Sequence, residues 1–135
     1  MDHLDWEIIK TLRKDSRTSN VAIARELGVS EGMVRQRIFK LRSEGIIQSF
    51  TITTSSRGLK ALIEINIEVN VHTTEIARRI LALQGIEKVY EISGDTDIIA
   101  LVDVTNTIEL NEAIEGIRAI EDVTSTRTKM VLGEL

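Results

Sequence analysis

The sequence predicts an α+β protein in which an N-terminal winged helix-turn-helix precedes a C-terminal ferredoxin-like βαββαβ domain. Two observations predict this fold class. Apolar residues recur at helical spacing up to about residue 44 of the 135, and from residue 61 the spacing changes to strict alternation. Helix-like and strand-like segments then follow in the order β-α-β-β-α-β. We expect domains over 1–52 and 59–135, with a polar hinge over 53–58.

Three helices are expected in the first domain. Asp2 and Ser19 carry side chains that can accept hydrogen bonds from the free amides at a helix start, so each is predicted to cap a helix. The second helix ends near Leu27, and the third covers about 31–44. Gly45 then permits the left-handed backbone that ends helices.

The segment Leu27-Gly28-Val29-Ser30 is typical of the turn in a helix-turn-helix, because glycine allows a tight bend and Ser30 can cap the following helix. The β-branched and aromatic residues of 46–53 predict a short wing strand. The third helix keeps an outward surface of polar and basic side chains, which favours contact with double-stranded DNA. The predicted DNA-binding residues are Ser30, Glu31, Gly32, Met33, Arg35, Gln36, Arg37, Lys40 and Arg42.

These residues have different expected roles. Arg35 and Gln36 lie near the helix start, where arginine can bind guanine and glutamine can bind adenine. Lys40 and Arg42 lie further along and are expected to contact phosphate. Arg37 lies beside core positions, which leaves two possibilities: a phosphate contact or an ion pair with an internal carboxylate.

Three other side chains of this domain have expected roles. Trp6 and Phe39 lie among apolar helix residues, so we expect both to pack in the core rather than to stack on nucleotides. Glu31 repels phosphate unless it accepts a hydrogen bond from cytosine, so we expect it to help exclude wrong DNA sites.

Composition excludes several kinds of site. The chain has no cysteine, so disulfides, thiolate metal sites and cysteine nucleophiles are absent. Its two histidines, His3 and His72, are too isolated for a metal cluster or a proton relay, so no catalytic residue, metal or cofactor is predicted. Apolar runs are short and the first residues are acidic, so we expect a cytoplasmic protein with no membrane partner.

Charge is distributed unevenly between the predicted domains. Residues 1–52 hold nine Lys or Arg against seven Asp or Glu, a net charge of +2, whereas residues 53–135 hold eight against fourteen, a net charge of −6. A mildly basic first domain fits a DNA reader joined to a domain with another task. The excess is small, so such a protein would bind DNA as a dimer or larger assembly.

The second domain opens with a strand over 61–71, in which apolar residues alternate with mostly polar ones. Thr73 or Thr74 is expected to cap the helix that follows. Gly85 is expected to end that helix.

The remaining elements complete the βαββαβ order. Strands over 86–93 and 96–104 flank the dipeptide Gly94-Asp95, which suits a tight hairpin. Residues 106–109, Asn-Thr-Ile-Glu, match a capping box and open a helix, and 123–132 form the last strand. Both helices then cover one sheet face. The other face needs cover, which a second copy can supply.

In this order and spacing, the sequence resembles the Lrp/AsnC (leucine-responsive, feast/famine) family of prokaryotic transcription regulators. The resemblance is carried by Leu4-Asp5, Ile8-Ile9, Leu12, Asp15-Ser16-Arg17, Leu27-Gly28-Val29-Ser30, Val34, Arg37-Ile38, Leu41, Gly45-Ile46-Ile47, Gly94-Asp95-Thr96-Asp97-Ile98-Ile99 and Val123-Thr124-Ser125-Thr126-Arg127-Thr128. It implies a DNA-binding regulator, not an enzyme, that responds to a small amino acid or related metabolite. It also implies a homodimer that assembles into tetramers or octamers.

The resemblance further implies an effector site near residues 94–97, where a carboxylate can hold an α-ammonium group. The effector residues expected on this basis are Gly94, Asp95, Thr96, Asp97, Thr124, Thr126 and Thr128. Each also has an ordinary explanation as a turn or strand residue. Thr96 stands where many relatives have an aromatic residue, so the identity of the ligand stays open.

Two other functions stay open, since a fold does not fix a function. One is a tetrapyrrole decarboxylase of similar architecture, although its chemistry calls for histidine near the ligand and the second domain offers only His72. The other is a metabolite-sensing module that binds another protein. The outward basic residues Arg35, Lys40 and Arg42 speak against that second alternative.

Overall fold

The computed structural model describes all 135 residues, which form two compact units, Met1–Thr54 and Ser55–Leu135. The first unit contains α1 (His3–Lys14), α2 (Asn20–Leu27) and α3 (Glu31–Ser43). The second contains β1 (Leu59–Ile67), α4 (Thr73–Leu81), β2 (Ile86–Glu91), β3 (Ile98–Val104), α5 (Thr107–Arg118) and β4 (Val123–Met130). The predicted βαββαβ order is confirmed. None of the helices has the length and apolar character needed to cross a membrane.

The starts of the first three helices are capped as the sequence predicts. The Asp2 carboxylate accepts a hydrogen bond from the Asp5 N–H at 2.9 Å, and the Asp5 carboxylate accepts one from the Asp2 N–H at 3.1 Å. This reciprocal pair is a capping box. The hydroxyls of Ser19 and Ser30 accept backbone hydrogen bonds at the starts of α2 and α3. Each bond satisfies an amide that has no partner inside its helix.

The core of the first unit is a small apolar cluster contributed by all three helices. Its buried members are Ile8, Leu12, Ile23, Ala24 and Val34. Gly28 lies between α2 and α3 with a left-handed φ of 69°, the bend that the helix-turn-helix requires. The turn predicted from the sequence is therefore confirmed.

The predicted wing strand over 46–53 is wrong for the isolated chain, since these residues form no strand. A strand requires a neighbouring strand to satisfy its backbone hydrogen bonds, and this unit contains no second one. The segment is held instead by single contacts. One of them joins the Ser16 hydroxyl to the Thr51 carbonyl oxygen at 2.9 Å.

The second unit is a four-stranded antiparallel sheet of order β2-β3-β1-β4. In its register, Ile63 of β1 lies between Ala100 of β3 and Thr128 of β4. α4 and α5 pack on the same face of this sheet. The buried side chains that join them to it are Ala61, Ile63, Ile65, Ile76, Ala77, Ile80, Ile98, Ala100, Val102, Val104, Leu110, Ala113 and Ile117.

β1 ends four residues earlier than predicted, at Ile67 rather than at residue 71. The Ile67 N–H donates to the Asp97 carboxylate at 2.9 Å, where the register of β1 with β4 also shifts. Asn70 then adopts a left-handed φ of 69°, and Val69 is 83% exposed. The alternation of apolar and polar residues in the sequence therefore continues past the end of the strand. Residues in a turn can alternate in the same way although their apolar side chains are not buried.

The predicted cap of α4 is wrong. Thr73 is the first helical residue, and His72 holds the cap position without a side-chain hydrogen bond. The Thr74 hydroxyl donates to the Glu91 carboxylate at 2.8 Å instead. The helix ends at Leu81, and Gly85 lies in the turn before β2 with a φ of 89°.

The predicted tight hairpin at Gly94-Asp95 is also wrong. β2 and β3 are shorter than expected, and residues 92–97 form a longer connection between them. At the start of α5, Asn106 accepts from the Glu109 N–H as predicted, but the Glu109 carboxylate accepts from the Thr105 N–H. The capping box is therefore displaced by one residue.

The face of the sheet opposite the helices is not covered by any other element of the second unit. It presents apolar side chains beside a charged cluster in which Glu64 contacts Arg127 and Lys129. Leu62, at 36% exposure, lies at the centre of this outer sheet face. From the register, the outer sheet face comprises Lys60, Leu62, Glu64, Asn66, Lys88, Tyr90, Ile99, Leu101, Asp103, Ser125, Arg127 and Lys129.

Arg37 joins α3 to the start of α1. Its Nη1 donates to the Asp2 carboxylate at 2.6 Å and to the Asp5 carboxylate at 3.1 Å. The Asp5 side chain is only 8% exposed, so this contact compensates a nearly buried carboxylate. The hydrogen bond from the Asp5 N–H, and after it the hydrogen bond from Arg37, lower the pKa of Asp2 to about 2. Of the two roles considered for Arg37, the structure shows the ion pair.

Asp2→Asn should destabilise the first unit in a pH-dependent way, since asparagine keeps the cap but loses the charge. The folded-state pKa of Asp2 lies below its ordinary value of 3.8, so its contribution to stability is present above that value. It is lost as the pH falls through about 2. Urea unfolding followed by Trp6 fluorescence should show a difference between wild type and variant that shrinks from pH 4 towards pH 2. A difference that is constant with pH would contradict this, and Glu44→Gln, which removes a carboxylate without an ion pair, is the control.

Candidate nucleic-acid interface and effector site

α3 has one buried side and one exposed side. Val34 and Leu41 are buried, and Ile38 is half-buried beside them. At 100° per residue, the opposite side of the helix is formed by Gly32, Gln36, Phe39 and Ser43. We call this set the outer stripe of α3. Arg35 lies on one flank of the outer stripe and Lys40 on the other.

The charged residues of α3 differ in the contacts that they make with other side chains of the chain. The Arg35 guanidinium contacts the Glu31 carboxylate at 3.1 Å, one helical turn away, and both side chains are solvent-exposed. Such a pair contributes less than about 1 kcal/mol, so Arg35 can exchange it for a phosphate or a base. Lys40 is exposed and forms no ion pair. Arg42 lies over the ring of Phe50, 5.3 Å from its centroid.

The other predicted DNA-binding residues occupy the start and one side of the helix. Ser30 is committed to capping α3, and its hydroxyl accepts from the Met33 N–H at 3.2 Å. Gly32 leaves open space, since a Cβ placed there would meet only an Arg35 nitrogen at 3.8 Å. Gln36 and Met33 are exposed. Arg37 is half-buried in its ion pair and is not part of the exposed surface.

The prediction that Trp6 and Phe39 pack in the core is wrong. Phe39 is 75% exposed on the outer stripe, and Trp6 is exposed beside Arg13, whose guanidinium lies 5.2 Å from the ring centroid. The spacing of residues along α3 indicates from the sequence alone which side chains are buried and which are exposed. Ile38 continues the buried period, and the next residue points about 100° away from it.

The predicted effector residues in the loop between β2 and β3 differ in whether hydrogen bonds within the chain already engage them. The Asp97 N–H donates to the Ile65 carbonyl oxygen at 3.2 Å, and its carboxylate accepts from the end of β1. Asp97 therefore fixes the loop to β1. Asp95 and Gly94 are exposed, and Gly94 has a φ of 112° that disfavours a side chain there.

The threonines of β4 lie on the other side of β1. Thr126 pairs with Ile65 and Thr128 with Ile63, so both point towards the helix-covered face. The Thr126 hydroxyl accepts from the Arg118 Nε at 3.2 Å. A shallow depression is lined by Arg118, Val123, Thr124, Ser125 and Thr126. Sequence reasoning missed Arg118, whose guanidinium can bind a carboxylate.

The structure therefore does not bring all predicted effector residues together in one chain. Thr124 and Thr126 share the depression, and Thr128 lies outside it. Residues 94–97 contact β1 from the side of β3, so β1 separates them from β4. With strands about 4.8 Å apart, the two groups are about 10 Å from each other.

A second polar cleft lies at the opposite end of the sheet and was not expected from the sequence. It has a volume of about 300 Å³ and is lined by Arg57, Leu83, Gln84, Gly85, Val104, Glu109, Glu112 and Ala113. The hydrogen bond from the Thr105 N–H, with a smaller contribution from Arg57, lowers the pKa of Glu109. Arg57 lies in the predicted hinge, and its N–H donates to the Asp103 carboxylate at 2.9 Å.

No group of three or more His, Asp or Glu side chains is positioned to hold a metal ion. The first unit presents a helix with basic flanks, and the second presents small polar depressions.

Comparison with known proteins gives separate matches for the two units. A family model described as winged helix-turn-helix DNA-binding matches residues 1–48. A second model, described as the Lrp/AsnC ligand binding domain, matches residues 60–135. The chain is 39% identical over 133 residues to the HTH-type transcriptional regulator LysM of Sulfurisphaera tokodaii, a match that covers 98% of this chain and 95% of that protein.

Two further similarities concern an enzyme and a solved structure. The chain is 35% identical to part of a homocitrate synthase of Sulfolobus acidocaldarius, where the match covers 97% of this chain but only 26% of the enzyme. The crystal structure of a transcriptional regulator of Neisseria meningitidis in complex with L-methionine superposes with a TM-score of 0.88 at 20% identity, covering 100% of this chain and 92% of that one. At this level of identity, the similarity to the Neisseria structure shows a shared fold.

Proposed function

The chain belongs to the Lrp/AsnC family of transcriptional regulators, and on that premise we propose that it reads specific DNA sites with α3 and responds to a small amino acid or related metabolite. In this proposal residues 1–52 form the DNA-binding domain, 53–58 the hinge, and 59–135 the effector and assembly domain. Such a regulator would act in the cytoplasm, where prokaryotic DNA lies. The homocitrate synthase matches this chain over only 26% of its own length, so the proposal does not extend to its catalytic activity.

The observation that carries the DNA-reading role is the exposed side of α3. Its outer stripe is free of the core and is flanked by Arg35 and Lys40, neither of which is committed to a buried contact. The second helix of a helix-turn-helix enters the major groove, where its early residues contact base edges. In this arrangement Arg35 and Gln36 read bases, and Lys40 and Arg42 contact phosphates.

Arg35→Ala should weaken binding to the preferred DNA site by about 1 to 3 kcal/mol per base contact and reduce sequence preference. Lys40→Ala should weaken binding to all duplexes alike and reduce the dependence of log Kd on log salt by about one unit. The test is fluorescence anisotropy with selected and scrambled duplexes at two salt concentrations.

Lys10→Ala is the matched control for these variants, since Lys10 is exposed on α1 and pairs only with Glu7. If Arg35→Ala and Lys40→Ala bind both duplexes as wild type does, α3 is not the reading element. If wild type itself has no sequence preference, the proposed function is wrong.

Assembly of at least two copies is part of the proposal. In the middle of the outer sheet face, Leu62 is exposed and Ile99 and Leu101 are half-buried, and no helix of the second unit covers them. Burial of such a face against a second copy removes apolar surface from water and lets two recognition helices contact adjacent half-sites. We propose a homodimer through this face, with further assembly into tetramers or octamers.

Leu62→Glu should therefore shift the full chain towards monomer, because it places a carboxylate at the centre of the proposed interface beside Glu64. Multi-angle light scattering at micromolar concentration measures the effect. Ile108→Glu, at an apolar position of α5 that is 68% exposed, is the control and should leave the mass unchanged. A wild-type monomer under these conditions would exclude the proposed assembly.

The effector is proposed to bind near residues 94–97. The exposed Asp95 carboxylate suits an α-ammonium group, whereas Arg118 with the hydroxyls of Thr124 and Thr126 suits a carboxylate. β1 keeps these groups apart within one chain, so a small amino acid that contacts both requires two copies. The L-methionine complex of the Neisseria regulator supports an amino acid as the ligand class.

Isothermal titration calorimetry with the twenty amino acids should identify at least one binder. Asp95→Asn and Arg118→Gln should each weaken its affinity at least tenfold, because each removes one charged partner of the ligand. Linkage then requires that the ligand shift the oligomer distribution if it contacts two assembly states differently. Binding that both variants leave unchanged would locate the pocket elsewhere. Glu112→Gln, in the cleft at the opposite end of the sheet, is the control.

A further inference from the structure

Phe39 stands out among the apolar side chains of the first unit. It is 75% exposed, although it lies in a regular helix between the buried residues Val34 and Leu41. Single exposed apolar residues are common on protein surfaces and need no explanation by themselves. The position of Phe39 on the outer stripe of α3 distinguishes it, because that surface is the one proposed to enter DNA.

The neighbours of Phe39 fit a groove-facing position. Gln36 lies one turn earlier on the outer stripe, and Gly32 lies one further turn back without a side chain. Gly32 has no side chain, so the helix backbone can approach a surface closely there, and a Cβ placed at this position would meet only the Arg35 side chain at 3.8 Å. Arg35 and Lys40 flank the outer stripe, where Arg35 can reach a base edge and Lys40 can hold the helix to a phosphate backbone.

The major groove offers one apolar group to such a ring, the C5 methyl of thymine. From this arrangement we propose that Phe39 contacts a thymine methyl and thereby helps to set the DNA sequence that α3 reads. The inference rests on the proposed function and adds a specificity-determining residue to it. Gln36, three residues away, is spaced to bind an adenine close to that thymine.

The test begins with random duplexes selected on the wild-type chain, which supply a preferred site. Each thymine of that site is then replaced in turn by deoxyuridine, a change that removes only the methyl group. At one or more positions per half-site, the replacement should weaken wild-type binding about fourfold, the value for one buried methyl-sized group. Phe39→Ala should bind the thymine and deoxyuridine forms of the same site equally well.

Two further variants separate base reading from folding. Phe39→Leu keeps an apolar side chain and should retain part of the discrimination between thymine and deoxyuridine. Ile108→Ala, in the second unit, should retain all of it. Circular dichroism checks that both Phe39 variants are folded, as expected for a side chain with so little burial.

The outcomes distinguish this inference from the proposed function. If a preferred site is selected but no deoxyuridine position matters, or if Phe39→Ala remains as sensitive as wild type, the thymine contact is overturned and DNA reading stands. If no sequence is enriched by the wild-type chain, both are overturned. Loss of discrimination confined to Phe39→Ala supports the contact.

Discussion

Each unit of this chain buries one layer of apolar side chains, and its functional surfaces lie on the side left free. In the first unit, Val34 and Leu41 fix one side of α3 against the core, which directs Gln36 and Phe39 outwards. In the second, α4 and α5 cover the same face of the sheet, which leaves the outer sheet face exposed. The placement of apolar side chains therefore decides which surfaces stay free, namely the outer stripe of α3, where we propose that DNA is read, and the outer sheet face, where we propose that a second copy packs.

Polar contacts then determine which charged residues are available for binding. Arg37 lies on α3 among residues suited to DNA contact, yet its guanidinium compensates Asp2 and the nearly buried Asp5. Removal of that cation would leave a carboxylate without a partner, which is costly at low exposure. Arg35 has the same side chain, but its partner Glu31 is solvated and weakly held. Residue type alone does not distinguish the structural role of Arg37 from the binding role proposed for Arg35, since the difference lies in how far the partner carboxylate is buried.

The effector region follows similar logic. Asp97 has one carboxylate oxygen committed to the end of β1, so it organises the loop that presents Asp95. Arg118 and Thr126 lie across β1 from that loop, which makes the proposed amino-acid site incomplete in one chain. In the proposed assembly, a ligand that requires groups from two copies is coupled to the association of those copies, and this association sets the spacing between their α3 helices. Effector binding and DNA reading can be linked in this way without any contact between the two kinds of site.

The sequence by itself determined the βαββαβ order, the helix-turn-helix and the caps at Asp2, Ser19 and Ser30, because these depend on interactions within a few residues. The resemblance to the Lrp/AsnC family, read from the order and spacing of short motifs, is likewise confirmed. Tertiary structure alone decided the absence of a wing strand within the chain and the ion pair of Arg37. Both depend on whether a partner from a distant part of the sequence is present: a neighbouring strand or a buried carboxylate. Local sequence patterns indicate which conformation a residue prefers, but the contact with a distant partner exists only in the folded chain.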